Sequence, residues 1–431
     1  MYRKIWKELI AWKKSQGRKP LILNGARQVG KTYILKEFGA KEFKNFAYLN
    51  CDKNPRAAGI FSDFDTERII RAISAVTETV IEKENTLIFI DEIQEIPNAV
   101  SCLKYFCEDA PEYYIVAAGS LLGIRNHEGT SFPVGKINSL QMYPMTFDEF
   151  LRGIGREKIA DYIAGSSYKE ISALKDECIE LLRQYYFTGG MPEAVDVYAK
   201  TKDIWRVRGV QNQILSDYAD DISKHADKNI LPRINLVWNS IPSQLVKENK
   251  KFIYGAIKKG ARAAEFETAI QWLIDAGLVY KVSRVTKASV PLKFYEDLSA
   301  FKLFMNDCGL FGALSQTPPA EILVGSKIFE EYKGAFTEQY VFQQLNACPN
   351  LFCYYYTNEN STLELDFLVQ KNSEIIPIEV KAEENLKSKS LRTFTEKNKE
   401  IKGLRFSMSD YRDQNWMQNI PLYCVEKWGE E

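Results

Sequence analysis

Histidine is almost missing from this chain: His127 and His225 are the only two in 431 residues. The eight cysteines form no C-x-x-C pair. Cys102 and Cys107, like Cys348 and Cys353, are five apart with no histidine beside them. That pattern excludes a structural zinc site and reads as reduced, mostly buried thiols of an intracellular protein. Net charge is missing too, with 57 basic residues against 57 acidic ones. No global field draws nucleic acid, so such a partner needs a local patch. No apolar run approaches the roughly 18 residues of a membrane span. The opening stretch, Met1 to Ile10, has apolar residues at helical spacing rather than a signal-peptide core. The expected setting is cytoplasmic, away from membrane. What remains is a globular composition, 45% apolar and 26% charged, on a chain long enough for two or three domains.

The organising stretch is Gly25-Ala26-Arg27-Gln28-Val29-Gly30-Lys31-Thr32, directly after the apolar run Pro20 to Asn24 and before the helical pattern Tyr33 to Phe38. A strand, a glycine-rich loop and a helix in that order make a P-loop. Gly25 permits a tight turn. Gly30 lets backbone approach a phosphate, at which the next helix aims N–H groups and its positive end. Lys31 adds a charge for the β and γ phosphates of ATP, and Thr32 a hydroxyl for Mg²⁺.

Strands are expected at Asn45–Asn50, Thr86–Glu92, Tyr113–Ser120 and Ile137–Tyr143, with a helix over Glu67–Lys83. Thr86-Leu-Ile-Phe-Ile-Asp-Glu92 is apolar without alternation, as a central parallel strand is, and ends in two carboxylates. Ligands of such sheets bind at the carboxyl ends of the strands. Asp91 then partners Mg²⁺ and Glu92 orients and activates the attacking water. Ser120 ends the next strand, either as a γ-phosphate sensor or as a helix N-cap. The expected class is α/β, a doubly wound parallel sheet over residues 1–145.

Residues 146–228 turn helical, with a capping box at Thr146–Glu149, and are expected to form a lid. Residues 229–296 read as a winged-helix-like module: helices near Phe252–Gly260 and Glu265–Gly277, then strands Val279–Val285 and Leu292–Tyr295. Lys247, Lys250, Lys251, Lys258, Lys259 and Arg262 could meet DNA phosphates. Glu265, Glu267 and Asp275 on the presumed recognition helix oppose this and favour a solvated structural module. Residues 297–431 hold a helix at Gly334–Leu345 and strands at Tyr354–Tyr356, Glu364–Val369 and Ile375–Val380. The last two strands should pair through the turn Lys371–Glu374. Asp366 and Glu379 could then share Mg²⁺ while Lys381 polarises water; an ordinary cross-strand ion pair accounts for them equally well.

These motifs together resemble a family: bacterial and archaeal AAA-like P-loop ATPases whose C-terminal part is a region called DUF4143. The resemblance rests on Gly25–Thr32, Leu87–Gln94, Ser131–Lys136, Tyr143–Phe150, Gly189–Glu193, Tyr295–Phe301, Glu364–Leu368 and Ile378–Lys381. It implies ATP binding and a C-terminal PD-(D/E)xK, restriction-endonuclease-like α/β fold. In that fold Glu338 would be the acidic residue of the first helix and Asp366, Glu379 and Lys381 the core. Some relatives carry Gly-Arg where this chain has Gly135-Lys136, at a position associated with neighbouring ATPase subunits and hence with self-association. Lysine offers no bidentate fork there; Arg125 and Arg152 stand near in sequence only. The leading reading is an Mg²⁺-dependent ATPase that couples nucleotide state to its C-terminal modules. An ATP-regulated DNA nuclease and a structural ATP-binding scaffold are the alternatives.

Overall fold

In a computed structural model the chain divides into two compact units. One comprises Tyr2–Tyr143 with Asp275–Gly277, the other Met1, Pro144–Ile274 and Leu278–Glu431. The structure describes residues 1–119, 133–247, 251–325, 327–358, 363–383 and 388–431. Ser120, Arg125, Ser131 and Lys250 lie outside the described residues.

The first unit opens with the helix Ile5–Lys14, whose Ile5, Leu9 and Trp12 recur every three or four residues and are buried together. Its sheet holds β1 (Leu21–Asn24), β2 (Asn45–Asn50), β3 (Thr86–Asp91), β4 (Tyr114–Ala118) and β5 (Asn138–Gln141). Among the described residues the order is β2-β3-β4-β1-β5, every pair parallel. β1 and β3 are buried at every position, as their unbroken apolar sequences demand. Ile22, Leu49, Ile88 and Ile90 pack with Ile69, Ile73 and Phe106 of the covering helices into one core. Parallel strands must all leave the sheet at the same edge. The registers Asn50↔Asp91, Asp91↔Ala118 and Leu23↔Ala118 accordingly bring Asp91 and the residues after β1 to one edge. The α/β parallel class expected from sequence is the one observed.

The second unit begins with helices. Thr146 caps Phe147–Gly153 with the expected capping box to Glu149. The helices read as a lid are built into this unit. Phe147 N donates to Gln344 Oε1 at 2.8 Å, and Gly190 N to Asp307 Oδ2 at 2.5 Å. The sheet here contains β6 (Val279–Val285), β7 (Glu296–Met305), β8 (Leu351–Thr357), β9 (Glu364–Lys371), β10 (Glu374–Val380), β11 (Gly403–Ser407), β12 (Arg412–Asp413) and β13 (Met417–Pro421). The order among the described residues is β12-β13-β11-β10-β9-β8-β6-β7.

Two details depart from the sequence reading. Leu292–Tyr295 is a 3₁₀ turn, not a strand, and the partner of β6 is β7. The wing-like hairpin is also not separate, because β6 pairs in parallel with β8. One sheet thus runs across the division drawn at residues 296 and 297. The physical reason lies in Ala300–Met305, an unbroken run that is buried throughout; burial on both faces requires a sheet that continues under other elements. Beyond it, the helix Lys327–Ala347 precedes an antiparallel β8-β9-β10 meander. The helix Lys389–Lys397 then leads to β11, which lies parallel to β10. No helix among the described residues is long and apolar enough to cross a membrane.

Candidate functional site

The loop between β1 and the helix Lys31–Glu42 uses backbone angles that explain its composition. Gly25 sits at φ 150°, Gln28 at 65° and Gly30 at 96°. A Cβ on Gly25 would stand 2.4 Å from the carbonyl oxygen of Met142, so only glycine fits this close passage. The helix starts at Gly30 with no acidic residue in its first turn, leaving its N–H groups and positive end for an anion. Lys31 Nζ is folded back to donate to the carbonyls of Gly25 at 2.7 Å and Ala26 at 2.8 Å.

Asp91, 3% exposed, faces this loop from the end of β3. The Thr32 hydroxyl donates to its two oxygens at 3.1 and 3.2 Å, the Tyr48 hydroxyl to Oδ2 at 2.9 Å, and the Glu92 N–H to Oδ1 at 3.2 Å. Burial raises the Asp91 carboxyl above its ordinary value; the Tyr48 and Thr32 bonds oppose this and the neighbouring Glu92 charge adds to it. Burial likewise pushes the Tyr48 phenol and the Cys51 thiol up to about 12, with Asp91 adding in both. Glu92 turns through a left-handed backbone, φ 50° and ψ 43°, a conformation uncommon outside glycine and enriched at working sites. Gln94 Nε2 donates to Glu92 Oε2 at 2.6 Å. The Thr32 hydroxyl and Asp91 carboxylate form a hard oxygen donor set suited to Mg²⁺. A lysine on displaceable carbonyls and a carboxylate held by its own neighbour complete a site that fits a nucleoside triphosphate.

Lys136 is tied within the same unit, its Nζ 2.8 Å from Glu108 Oε1. Arg152 pairs with Asp148 at 3.1 Å and Asp161 at 2.8 Å.

The expected C-terminal residues come together only in part. Antiparallel pairing of β9 with β10, through the turn at Asn372, runs as far as Ile378 opposite Phe367. One residue further, Asp366 Oδ2 accepts the Val380 N–H at 2.8 Å. Lys381 Nζ meets Glu379 Oε1 at 2.7 Å. Burial pulls the Lys381 ammonium down, but Glu379 and Asp366 more than offset it and the net direction is upward. Glu338 Oε2 lies 3.8 Å from Lys302 Nζ, which is itself 3.2 Å from Glu364 Oε1. Lys302 is fully buried. No three histidine, cysteine or carboxylate side chains gather in metal-binding geometry among the described residues. The carboxylates of this face meet ammonium groups, Glu379 at Lys381 and Glu338 and Glu364 at Lys302, and Asp366 meets a backbone N–H.

Sequence reading missed Tyr48, Gln94 and Lys302. Lys302 had a signal, a lone charge inside Phe301-Lys-Leu-Phe-Met305. Tyr48 had none, since its contact with Asp91 spans 43 residues.

Family models match three stretches: the AAA domain over residues 17–151, the domain of unknown function DUF8612 over 179–321, and the domain of unknown function DUF4143 over 333–425. No curated protein matches the chain. Among solved structures, the chain is similar to the Walker-type ATPase of Pyrococcus abyssi at 13% identity, covering 72% of this chain and 95% of that one with a TM-score of 0.45. It is similar to the RuvB Holliday junction branch migration motor of Thermotoga maritima at 17% identity, over 67% and 89% with a TM-score of 0.33. For Cdc6p from Pyrobaculum aerophilum the values are 12%, 73%, 94% and 0.28. An AAA domain over residues 17–151 and a DUF4143 region over 333–425 are therefore parts of this chain.

Proposed function

We propose that the first unit binds ATP with Mg²⁺ and hydrolyses it, and that the second unit reads the nucleotide state. The observation that carries this is the contact of Thr32 with Asp91 at 3.1 Å, which joins the phosphate loop to the end of β3 beside Glu92. Residues Gly25 to Thr32 wrap the phosphates with backbone N–H groups. Lys31 exchanges the carbonyls of Gly25 and Ala26 for phosphate oxygens. Thr32 and Asp91 would hold Mg²⁺, which when bound would neutralise phosphate charge. Glu92, steadied by Gln94, orients a water and takes its proton. Ser120 is proposed as the sensor from sequence alone. The test is ATP titration by calorimetry and steady-state hydrolysis, with Lys31→Ala as the control. We expect ATP binding by the chain and its loss in a folded Lys31→Ala; equal affinity in both would refute the reading. Binding without turnover, with or without DNA, would leave the structural scaffold.

A second reading, an ATP-regulated DNA nuclease, draws on the order helix, β8-β9-β10 meander, helix, parallel β11, and on Asp366, Glu379 and Lys381 at one strand end. The pairing of Glu338 with Lys302 weighs against cutting, and the reading we prefer is a nuclease-fold module that does not cleave. Incubating linear, nicked and supercoiled DNA with Mg²⁺ or Mn²⁺, with and without ATP, decides it. Cleavage abolished by Asp366→Ala would establish the nuclease.

A further inference from the structure

Arg3 is buried, and its guanidinium donates from Nη1 to the Val29 carbonyl at 2.7 Å and from Nη2 to the Tyr143 carbonyl at 2.5 Å. The three residues are far apart in sequence, 26 and 140 positions from Arg3, and all belong to the first unit. Tyr143 follows β5, where Met142 N donates to Asn24 O at 2.8 Å, so this anchor is part of the sheet margin. Val29 is the loop residue immediately before Gly30.

In a planar trans peptide the carbonyl and the following N–H point in opposite directions. Holding the Val29 carbonyl on Arg3 therefore fixes the Gly30 N–H facing away from Arg3. That N–H is one of the loop donors on which phosphate binding depends. Rotating this peptide changes ψ of Val29 and φ of Gly30, and glycine offers little steric resistance to the change. Gly30 sits at φ 96° and ψ 21°, next but one to Gln28 at φ 65°. The glycine that lets backbone approach a phosphate also makes this peptide one of the easiest in the loop to flip.

We propose that Arg3 is a positioning residue for the nucleotide site: it bolts the Val29–Gly30 peptide to the end of β5 and so keeps the Gly30 N–H aimed at phosphate. This rests on the ATP reading above. The bidentate fork matters, because Arg3 serves the two carbonyls from two separate nitrogens, Nη1 and Nη2, where a lysine would bring a single one.

The experiment uses the full chain and compares Arg3→Lys and Arg3→Met with the unaltered protein, Lys31→Ala, and Leu9→Ala, which loosens the helix Ile5–Lys14 that follows Arg3. ATP affinity, KM, kcat and melting are measured for each. A mis-set donor weakens ground state and transition state alike, so KM rises and kcat holds. We expect about a tenfold rise in Kd and KM for Arg3→Met, and a smaller rise for Arg3→Lys with near-native melting. Leu9→Ala should lower melting and leave KM unchanged. If Arg3→Met does not fold, Arg3→Lys decides: native melting with native KM overturns the inference. An unaltered chain that binds no ATP sinks both readings. Binding that Lys31→Ala abolishes and folded Arg3 variants retain in full sinks this one alone.

Discussion

The charged side chains around the phosphate loop of the first unit rest on partners that a ligand can displace. Lys31 lies on two carbonyls, Asp91 on two hydroxyls and an N–H, and Glu92 on an amide. In the second unit comparable carboxylates meet full positive charges, Glu338 and Glu364 at Lys302 and Glu379 at Lys381. The first arrangement leaves electrostatic work for a bound phosphate and cation; the second has already done it internally. Carboxylates already facing opposite charges leave a ligand little to add, whereas charges at strand and helix ends held by neutral groups stay receptive.

The largest effect expected on the receptive side is from Glu92→Gln. It should lower turnover about 10²- to 10⁴-fold while ATP affinity is kept, because an amide cannot accept the water proton. Hydrolysis at the unaltered rate, measured beside calorimetric binding, would move the base elsewhere. On the satisfied side, Lys302→Met should cost about 3–5 kcal/mol in urea unfolding, since Glu338 and Glu364 lose their counter-charge in a buried setting. Saturating MgATP should not restore that loss; restoration would erase the contrast between the units. Tyr48→Phe removes a donor to Asp91 and should destabilise the nucleotide-free protein by about 1–3 kcal/mol. Here MgATP should recover most of the loss, with the ligand supplying the missing partner. Lys136→Ala should leave stability essentially unchanged, because its partner Glu108 is a surface one. Its hydrolysis rate should be native, and a large fall in turnover would show Lys136 leaving Glu108 to act on nucleotide.

What could be read from sequence was local. Eight consecutive residues carry the phosphate loop, and the unbroken apolar stretch before Asp91 and Glu92 marks β3 and its edge. Each is a short-range constraint of turn, helix or strand. Arg3 and Tyr48 were illegible because their meaning depends on which backbone or carboxylate the fold brings beside them. Leu292–Tyr295 has the apolar and aromatic content of a strand, yet the next ten residues take the place beside β6. Glu338 was assigned through resemblance alone; the buried lysine that meets it stands on β7, one residue past the Tyr295–Phe301 motif.

The sheet of the second unit has a consequence for how this chain is inherited and dissected. β6 and β7 fall within the DUF8612 match and β8 to β13 within the DUF4143 match, yet β6 pairs directly with β8. Cutting the gene between the two would strand a lone hairpin, which is marginal in water. The other fragment would expose β8 as a naked edge, open to pairing with other chains. Neither name marks a part that can be exchanged alone, and a fragment meant to remain monomeric has to carry the chain from before Val279 to beyond Pro421.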